Sequence, residues 1–163
     1  MDGGGAYLRV EVANQSLLWM EDGVVRFRWP VSTAKNGVGE LRGSERTPRG
    51  WHTIRARIGA GQPTNTVFRG RRPTGEIYDD ALEQAHPGRD WILTRILWLG
   101  GLEPGLNRYG AVDTAGRYIY IHGSPDRGVT GRPLSHGCIR LKSNDMLDLF
   151  DRVPVGMRVY IAE

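Results

Sequence analysis

The chain has 163 residues, of which 39% are hydrophobic and 25% charged, enough for one domain that buries roughly two-thirds of its unfolded surface, and not a disordered composition. Its net charge of +4 comes from 20 Arg and 2 Lys against 18 acidic residues; the Arg are scattered, with no basic helix, tail or aromatic-interleaved patch, so nucleic acid is excluded as a partner. No run approaches the roughly 18 apolar residues of a membrane helix, and the lone Cys138 excludes an internal disulfide framework and a multi-cysteine zinc knuckle.

Residues 1–5 read as a tail and 6–163 as one domain without internal repeats. The start, Met1-Asp2-Gly3-Gly4-Gly5, has no basic stretch followed by an apolar one, so it is not a secretory signal. As written the chain is expected in the cytoplasm, or in the periplasm or cell envelope if a leader was removed.

Residues 6–34 read as a β-meander. Leu8, Val10 and Val12 alternate with polar neighbours, the period of a half-buried strand. Leu17–Met20 and Val24–Val31 follow, joined by Glu21-Asp22-Gly23, with Pro30 marking an edge or bend. Residues 35–50 carry breakers and read as loop. Trp51–Ile58 alternates and is predicted as a strand. The Gly- and Pro-rich stretch 59–90 is the longest irregular segment. Its Arg69-Gly70-Arg71-Arg72 cluster is expected to face solvent, or to fold over a site as a lid or anion clamp.

Trp91–Leu99 is predicted as a buried strand ended by Gly100-Gly101, and Arg117–Ile121 as another. Asn144–Arg152 is the one clear helix, with Ser143 as N-cap and Met146, Leu149, Phe150 and Val153 on its apolar face. Val155–Ile161 closes the chain as a strand. The expected fold is mainly β, a sandwich or barrel-like pair of sheets with one short helix after the cysteine.

Cys138 sits in Leu134-Ser135-His136-Gly137-Cys138-Ile139-Arg140, and His122 stands sixteen residues earlier in Ile121-His122-Gly123-Ser124. A lone cysteine is by default a small buried hydrophobe. Against that, Gly137 lets the chain turn sharply, and polar Ser135 and His136 precede it. A thiol of ordinary pKa is only a few per cent ionised at neutral pH and needs a base. His86 lies in a surface turn and His52 on a strand beside Trp51, which reads as structural. His122 is the better base, at a strand end where the Gly123 carbonyl can orient its ring; His136 is the alternative. His122, His136 and Cys138 as a zinc site is a weak reading, since no carboxylate stands at ligand spacing.

These two segments resemble the active-site signature of the YkuD-type L,D-transpeptidases. Val31-Ser32-Thr33, Thr47-Pro48-Arg49-Gly50, Ser143-Asn144-Asp145 and Val153-Pro154-Val155-Gly156 extend the resemblance over nearly the whole chain, outside residues 1–5. It implies a β-sandwich catalytic domain acting on peptidoglycan stem peptides or soluble muropeptides, with no cofactor, no metal and no protein partner. By the resemblance Cys138 is the nucleophile, His122 the general base and Gly123 the orienting carbonyl. Ser135, His136 and Gly137 shape the substrate and oxyanion site. The nucleophile attacks the carbonyl of the L-centre of diaminopimelate, D-alanine leaves, and an amine takes the acyl group; carbapenems are expected to acylate the same sulphur.

The amides of Gly137 and Cys138 are candidate oxyanion donors, and Arg140 is placed to meet a substrate carboxylate. Transfer to water, an L,D-carboxypeptidase reaction, is the competing outcome. A non-catalytic peptidoglycan-binding domain and an ordinary cysteine peptidase are readings from other classes.

Overall fold

The computed structural model describes residues 5–163, so most of the expected 1–5 tail lies outside the described residues. Strands β1 (Ala6–Glu11), β2 (Ser16–Glu21) and β3 (Val24–Pro30) form the expected antiparallel meander. They belong to a ten-stranded sheet with β4 (Gly50–Ile58), β5 (Thr66–Arg69), β6 (Arg72–Ile77), β7 (Leu93–Gly101), β8 (Tyr120–Ser124), β9 (Ile139–Lys142) and β10 (Arg158–Ala162). The order is β3-β2-β1-β10-β4-β7-β5-β6, and β8 and β9 branch from β7. β3 ends at Pro30 on the edge of this order, where a residue lacking an N–H is tolerated.

The sheet curls into a sandwich around one core. Leu8, Val10, Leu17, Ile54, Leu97, Ile121, Ile139 and Ile161 meet there with Met146, Leu149 and Phe150 of helix α2 (Ser143–Arg152). The segment after β3 closes the curl. Ser32 and Arg140 exchange backbone hydrogen bonds of 2.9 Å each, and Ala34 bridges Ser135. The residues flanking the cysteine are thereby tied to the N-terminal meander.

Several expected boundaries move. The stretch 59–90 is not irregular throughout. It holds the β5–β6 hairpin and a short helix α1 (Asp80–Ala85), capped by the Asp79 carboxylate, which accepts from the Leu82 N–H at 2.8 Å. α1 has no fully buried residue, so it leaves little periodic signal. β9 is a further strand, only four residues long, whose Ile139 and Leu141 turn inward while Arg140 and Lys142 turn outward.

β8 starts at Tyr120 because Tyr118, with φ of 57°, still belongs to the preceding turn. It runs on to Ser124, so His122 sits mid-strand. β7 continues through Gly100 and Gly101, where a Cβ on Gly101 would collide with the Asn107 backbone; these glycines permit close approach and do not end the strand. The closing strand starts at Arg158, after a turn with Gly156 at φ 89°. Lys142, not Ser143, is the helix N-cap, and it makes no side-chain cap bond. The Ser143 hydroxyl instead accepts from Thr94 Oγ1 at 2.7 Å.

His52 is structural. It is fully buried, with Nδ1 3.0 Å from the Gly50 carbonyl and Nε2 3.0 Å from Thr114 Oγ1. Burial pushes its pKa down to about 4, against a smaller upward pull from the Gly50 carbonyl. The unfolded chain therefore binds a proton here between pH 6.5 and 4 that the folded chain refuses. Stability from this group is complete above pH 6.5 and is lost as the pH falls toward 4, by about 3 kcal/mol at most. Thermal melts of the protein and of His52→Gln across that range should show a flatter pH dependence for the variant; parallel curves would refute the assignment.

Candidate active site

The site is built on the parallel pairing of β8 and β9. Its register sets Ile121 opposite Ile139 and His122 opposite Arg140. Side chains alternate along a strand and paired residues share a face. Ile121, Ile139 and Leu141 therefore enter the core, while Tyr120, His122 and Arg140 share the other face with Cys138, which immediately precedes β9. The connection from β8 to β9 spans residues 125–138, long enough for the crossover that a parallel pair requires.

His122 is almost wholly buried, and its Nδ1 lies 2.6 Å from the Gly123 carbonyl. A carbonyl only accepts, so Nδ1 carries the hydrogen and Nε2 of the neutral ring carries the lone pair. Burial lowers the His122 pKa, with the Gly123 carbonyl and the Asp90 charge pulling the other way. Gly123 is required by close approach: an added Cβ would strike the Leu93 carbonyl and come within 3.1 Å of Thr94 Cβ. β7 has a register shift between Leu93 and Ile96, with Thr94 at φ 76°, an uncommon conformation for a β-branched residue.

Cys138 is half-buried beside Phe68, Ile96 and Tyr120. Its sulphur accepts from the Tyr120 N–H at 3.3 Å and donates to the Tyr118 carbonyl at 3.5 Å. Burial pushes the thiol up to about 11, with the Tyr120 N–H opposing; Asp90 adds to the rise, and Arg140 and Arg117 reduce it. Both directions favour the neutral form, a thiol at Cys138 and an uncharged imidazole at His122, and the sulphur's hydrogen bonds go to Tyr120 and Tyr118.

The turn before Cys138 is pinned by hydrogen bonds. The Ser135 hydroxyl donates to the Cys138 carbonyl at 2.5 Å and accepts from the Gly137 N–H at 3.2 Å. The Gly137 carbonyl accepts from Thr47 Oγ1 at 2.8 Å, and that oxygen accepts from the Ala34 N–H at 3.0 Å. Gly137 stands at φ 133° with Ile119 Cδ1 only 3.2 Å from where a Cβ would lie. The Gly137 amide is thus engaged by Ser135, a correction to its expected availability as an oxyanion donor. Thr47-Pro48-Arg49-Gly50 earns its place here: Thr47 holds the turn, and Arg49 forks onto Glu40 at 3.0 and 3.1 Å.

His136 is exposed, and its ring turns to Asp90, Nδ1 to Oδ2 3.2 Å. Arg140 donates to the same carboxylate, Nη2 to Oδ1 2.9 Å. In this state Arg140 is occupied by a carboxylate of the chain itself. Asp90 carries no sequence signal; it follows a Pro-Gly turn and reaches the site only through the fold. Its pKa is pushed up by burial, but His122, Arg140 and His136 outweigh that and hold it below the ordinary value.

Arg71 corrects the solvent-facing expectation for its cluster. Its guanidinium lies over Trp98 and Tyr118, 4.8 and 4.9 Å from the ring centroids, and donates to the Tyr120 hydroxyl at 3.0 Å. The β5–β6 turn is thereby fastened beside the cysteine, while Arg69 and Arg72 remain exposed. Strand alternation alone would have found Tyr120, two residues before His122. No group of three His, Cys, Asp or Glu side chains that could hold a metal occurs among the described residues.

Comparison with known proteins agrees on the family. The model of the YkuD L,D-transpeptidase catalytic domain matches residues 5–161, and the chain belongs to that family. It is 33% identical over 123 residues to a probable L,D-transpeptidase, YbiS, of Escherichia coli K12, covering 76% of this chain and 35% of that protein. It is 38% identical over 55 residues to the putative L,D-transpeptidase YqjB of Bacillus subtilis, covering 34% of this chain and 31% of that protein. The chain thus spans about a third of the length of these relatives.

The fold is shared with an L,D-transpeptidase of Xylanimonas cellulosilytica, with a TM-score of 0.57 at 20% identity over 99% of this chain and 62% of that one. It is also shared with L,D-transpeptidase 3 of Mycobacterium tuberculosis bearing a faropenem-derived adduct, with a TM-score of 0.58 at 18% identity over 98% of this chain and 61% of that one. No helix of the described residues is long and apolar enough to cross a membrane.

The neutral resting pair has a spectroscopic consequence. Thiolate absorbance near 240 nm, read against Cys138→Ala, should be absent at pH 8 and rise only toward pH 11. A thiolate already present at pH 7 would mean a preformed ion pair.

Proposed function

We propose that this domain is a cysteine acyltransferase acting on peptidoglycan stem peptides, with Cys138 as nucleophile and His122 as base. The observation that carries the reading is the shared face of β8 and β9. It sets His122 opposite Arg140, with Cys138 immediately before β9 on the same alternating face, His122 Nδ1 committed to the Gly123 carbonyl and Nε2 left as the basic nitrogen.

The chemistry follows from the neutral pair. The thiol hydrogen now points to the Tyr118 carbonyl and must leave it before the proton can pass to His122. The proton passes to Nε2 as the sulphur attacks the carbonyl of the L-centre of diaminopimelate, because a free thiolate is disfavoured in this apolar setting. The Cys138 amide is the candidate donor to the oxyanion. Collapse expels D-alanine, whose amine takes the proton back from His122, and leaves a thioester. An amine of a second stem then attacks the thioester carbonyl and gives a proton to His122; the C–S bond breaks, the sulphur takes that proton back, and the new amide is the cross-link.

Incubation with a diaminopimelate tetrapeptide and mass spectrometry of the products tests the reading. Cross-linked dimers are expected. Tripeptide plus D-alanine would assign hydrolysis instead, and an unconverted tetrapeptide would count against acyl transfer. Imipenem should add its mass to the protein at Cys138. Cys138→Ala should abolish the adduct, His122→Ala should slow it by roughly a hundredfold or more, and His136→Ala should slow it less. Equal losses for the two histidines would reopen the choice of base.

A further inference from the structure

The Asp90–Arg140 pair is a charge arrangement that a simple carboxylate substrate does not suit. The Arg140 guanidinium has one hydrogen-bond partner among the described residues, Asp90, although its side chain is only 13% exposed. Its remaining N–H donors are left for a ligand. Asp90 is 46% exposed and so reachable from outside. An incoming carboxylate that took Arg140 would lie against the Asp90 carboxylate, and like charges in contact repel.

A group carrying both charges avoids this. An amino-acid head has an ammonium and a carboxylate on one carbon, the spacing of a contact ion pair. Set beside Asp90 and Arg140, it completes an alternating ring of four charges, its ammonium taking the place of the exposed His136 ring at Asp90 Oδ2. We propose that Asp90 and Arg140 together form a subsite for the zwitterionic head of an amino acid, Asp90 taking the ammonium and Arg140 the carboxylate. This rests on the acyl-transfer reading and deepens it.

Open space adjoins Asp90. A cavity of about 780 Å³ runs along the β5–β6 hairpin, lined by Val67, Phe68, Thr74, Glu76, Arg89 and Asp90 among others. Phe68 shares an apolar cluster with Cys138, so the cavity adjoins the surroundings of the sulphur. Two sources carry the same head: the free D-centre at the end of a diaminopimelate side chain, and a free D-amino acid acting as acceptor. A lysine stem offers the ammonium without the carboxylate.

The test uses Cys138→Ala, which binds without turnover, titrated by NMR with three probes: the diaminopimelate tetrapeptide, the lysine tetrapeptide and free D-methionine. The diaminopimelate stem should bind on the order of tenfold to a hundredfold more tightly than the lysine stem, as charge-assisted hydrogen bonds imply. Adding Asp90→Asn should weaken that stem by about tenfold, and adding Arg140→Gln should bring it to the level of the lysine stem.

An Asp90 dependence seen with the stem assigns the side-chain terminus; one seen only with D-methionine assigns the acceptor. Equal binding of the two stems, with no Asp90 effect on D-methionine, overturns the subsite. Tighter stem binding in Asp90→Asn also overturns it, since Asp90 would then merely plug Arg140. The comparison of stems needs no change at Asp90 or Arg140 and so survives a variant that fails to fold. Failure of the acyl-transfer reading shows separately, as absence of an imipenem adduct on the unaltered protein.

Discussion

Everything at the site depends on the parallel register of β8 against β9. Were β9 to slip by one residue, Cys138 and Arg140 would exchange faces with Ile139 and Leu141, burying a thiol and a guanidinium in the core and exposing two aliphatic side chains. The burial of Ile121, Ile139 and Leu141 is therefore what fixes the chemistry on the opposite face. The Ser32–Arg140 and Ala34–Ser135 bridges hold β9 from its other side, so the register is pinned at both edges. Core packing and site geometry are one constraint here.

The electrostatics of the site follow from burial before charge. Desolvation is the largest influence on both His122 and Cys138, and it favours the neutral form of each. Asp90 then works in opposite senses on the pair, favouring a protonated imidazole and disfavouring a thiolate. Arg140 reverses both effects, and the ion pair between the two damps their separate influence. A thiol held in its neutral form resists oxidation and alkylation, because the thiolate is the reactive species.

Much of this was legible in the chain. Alternation marked β1, β3 and β4, a run of large apolar residues marked β7, and the amphipathic pattern of Met146, Leu149, Phe150 and Val153 marked α2; β3 nevertheless buries only Trp29, and β7 is buried at every position but Trp98. What failed were features whose cause is remote. β9 is too short to show a period. α1 buries no residue fully, and its cap, Asp79, resembles any loop aspartate. Ser143 looked like a cap but is used by Thr94, a partner 49 residues away. In the site, the motif residues were legible because they are close in sequence; Asp90 was not, and Arg71 was read only within a cluster expected to face solvent or to fold over a site, since only the tertiary fold brings a Gly/Pro-rich segment to the face of β8.

The closure of the sheet also sets when a competent site can exist. β1 pairs in parallel with β10, and β10 pairs with β4, so the first and last strands of the domain sit side by side at the middle of the sheet. Without β10 the backbone pairing of the meander to the β8–β9 side is reduced, among the described residues, to the bridges at Ser32 and Ala34, beside side-chain ties such as Trp29 Nε1 to Asp148. Contacts of such sequence separation form slowly, because the long intervening chain must first be ordered. The turn that carries Cys138 is therefore expected to settle against the face of His122 late in folding, as β10 docks between β1 and β4.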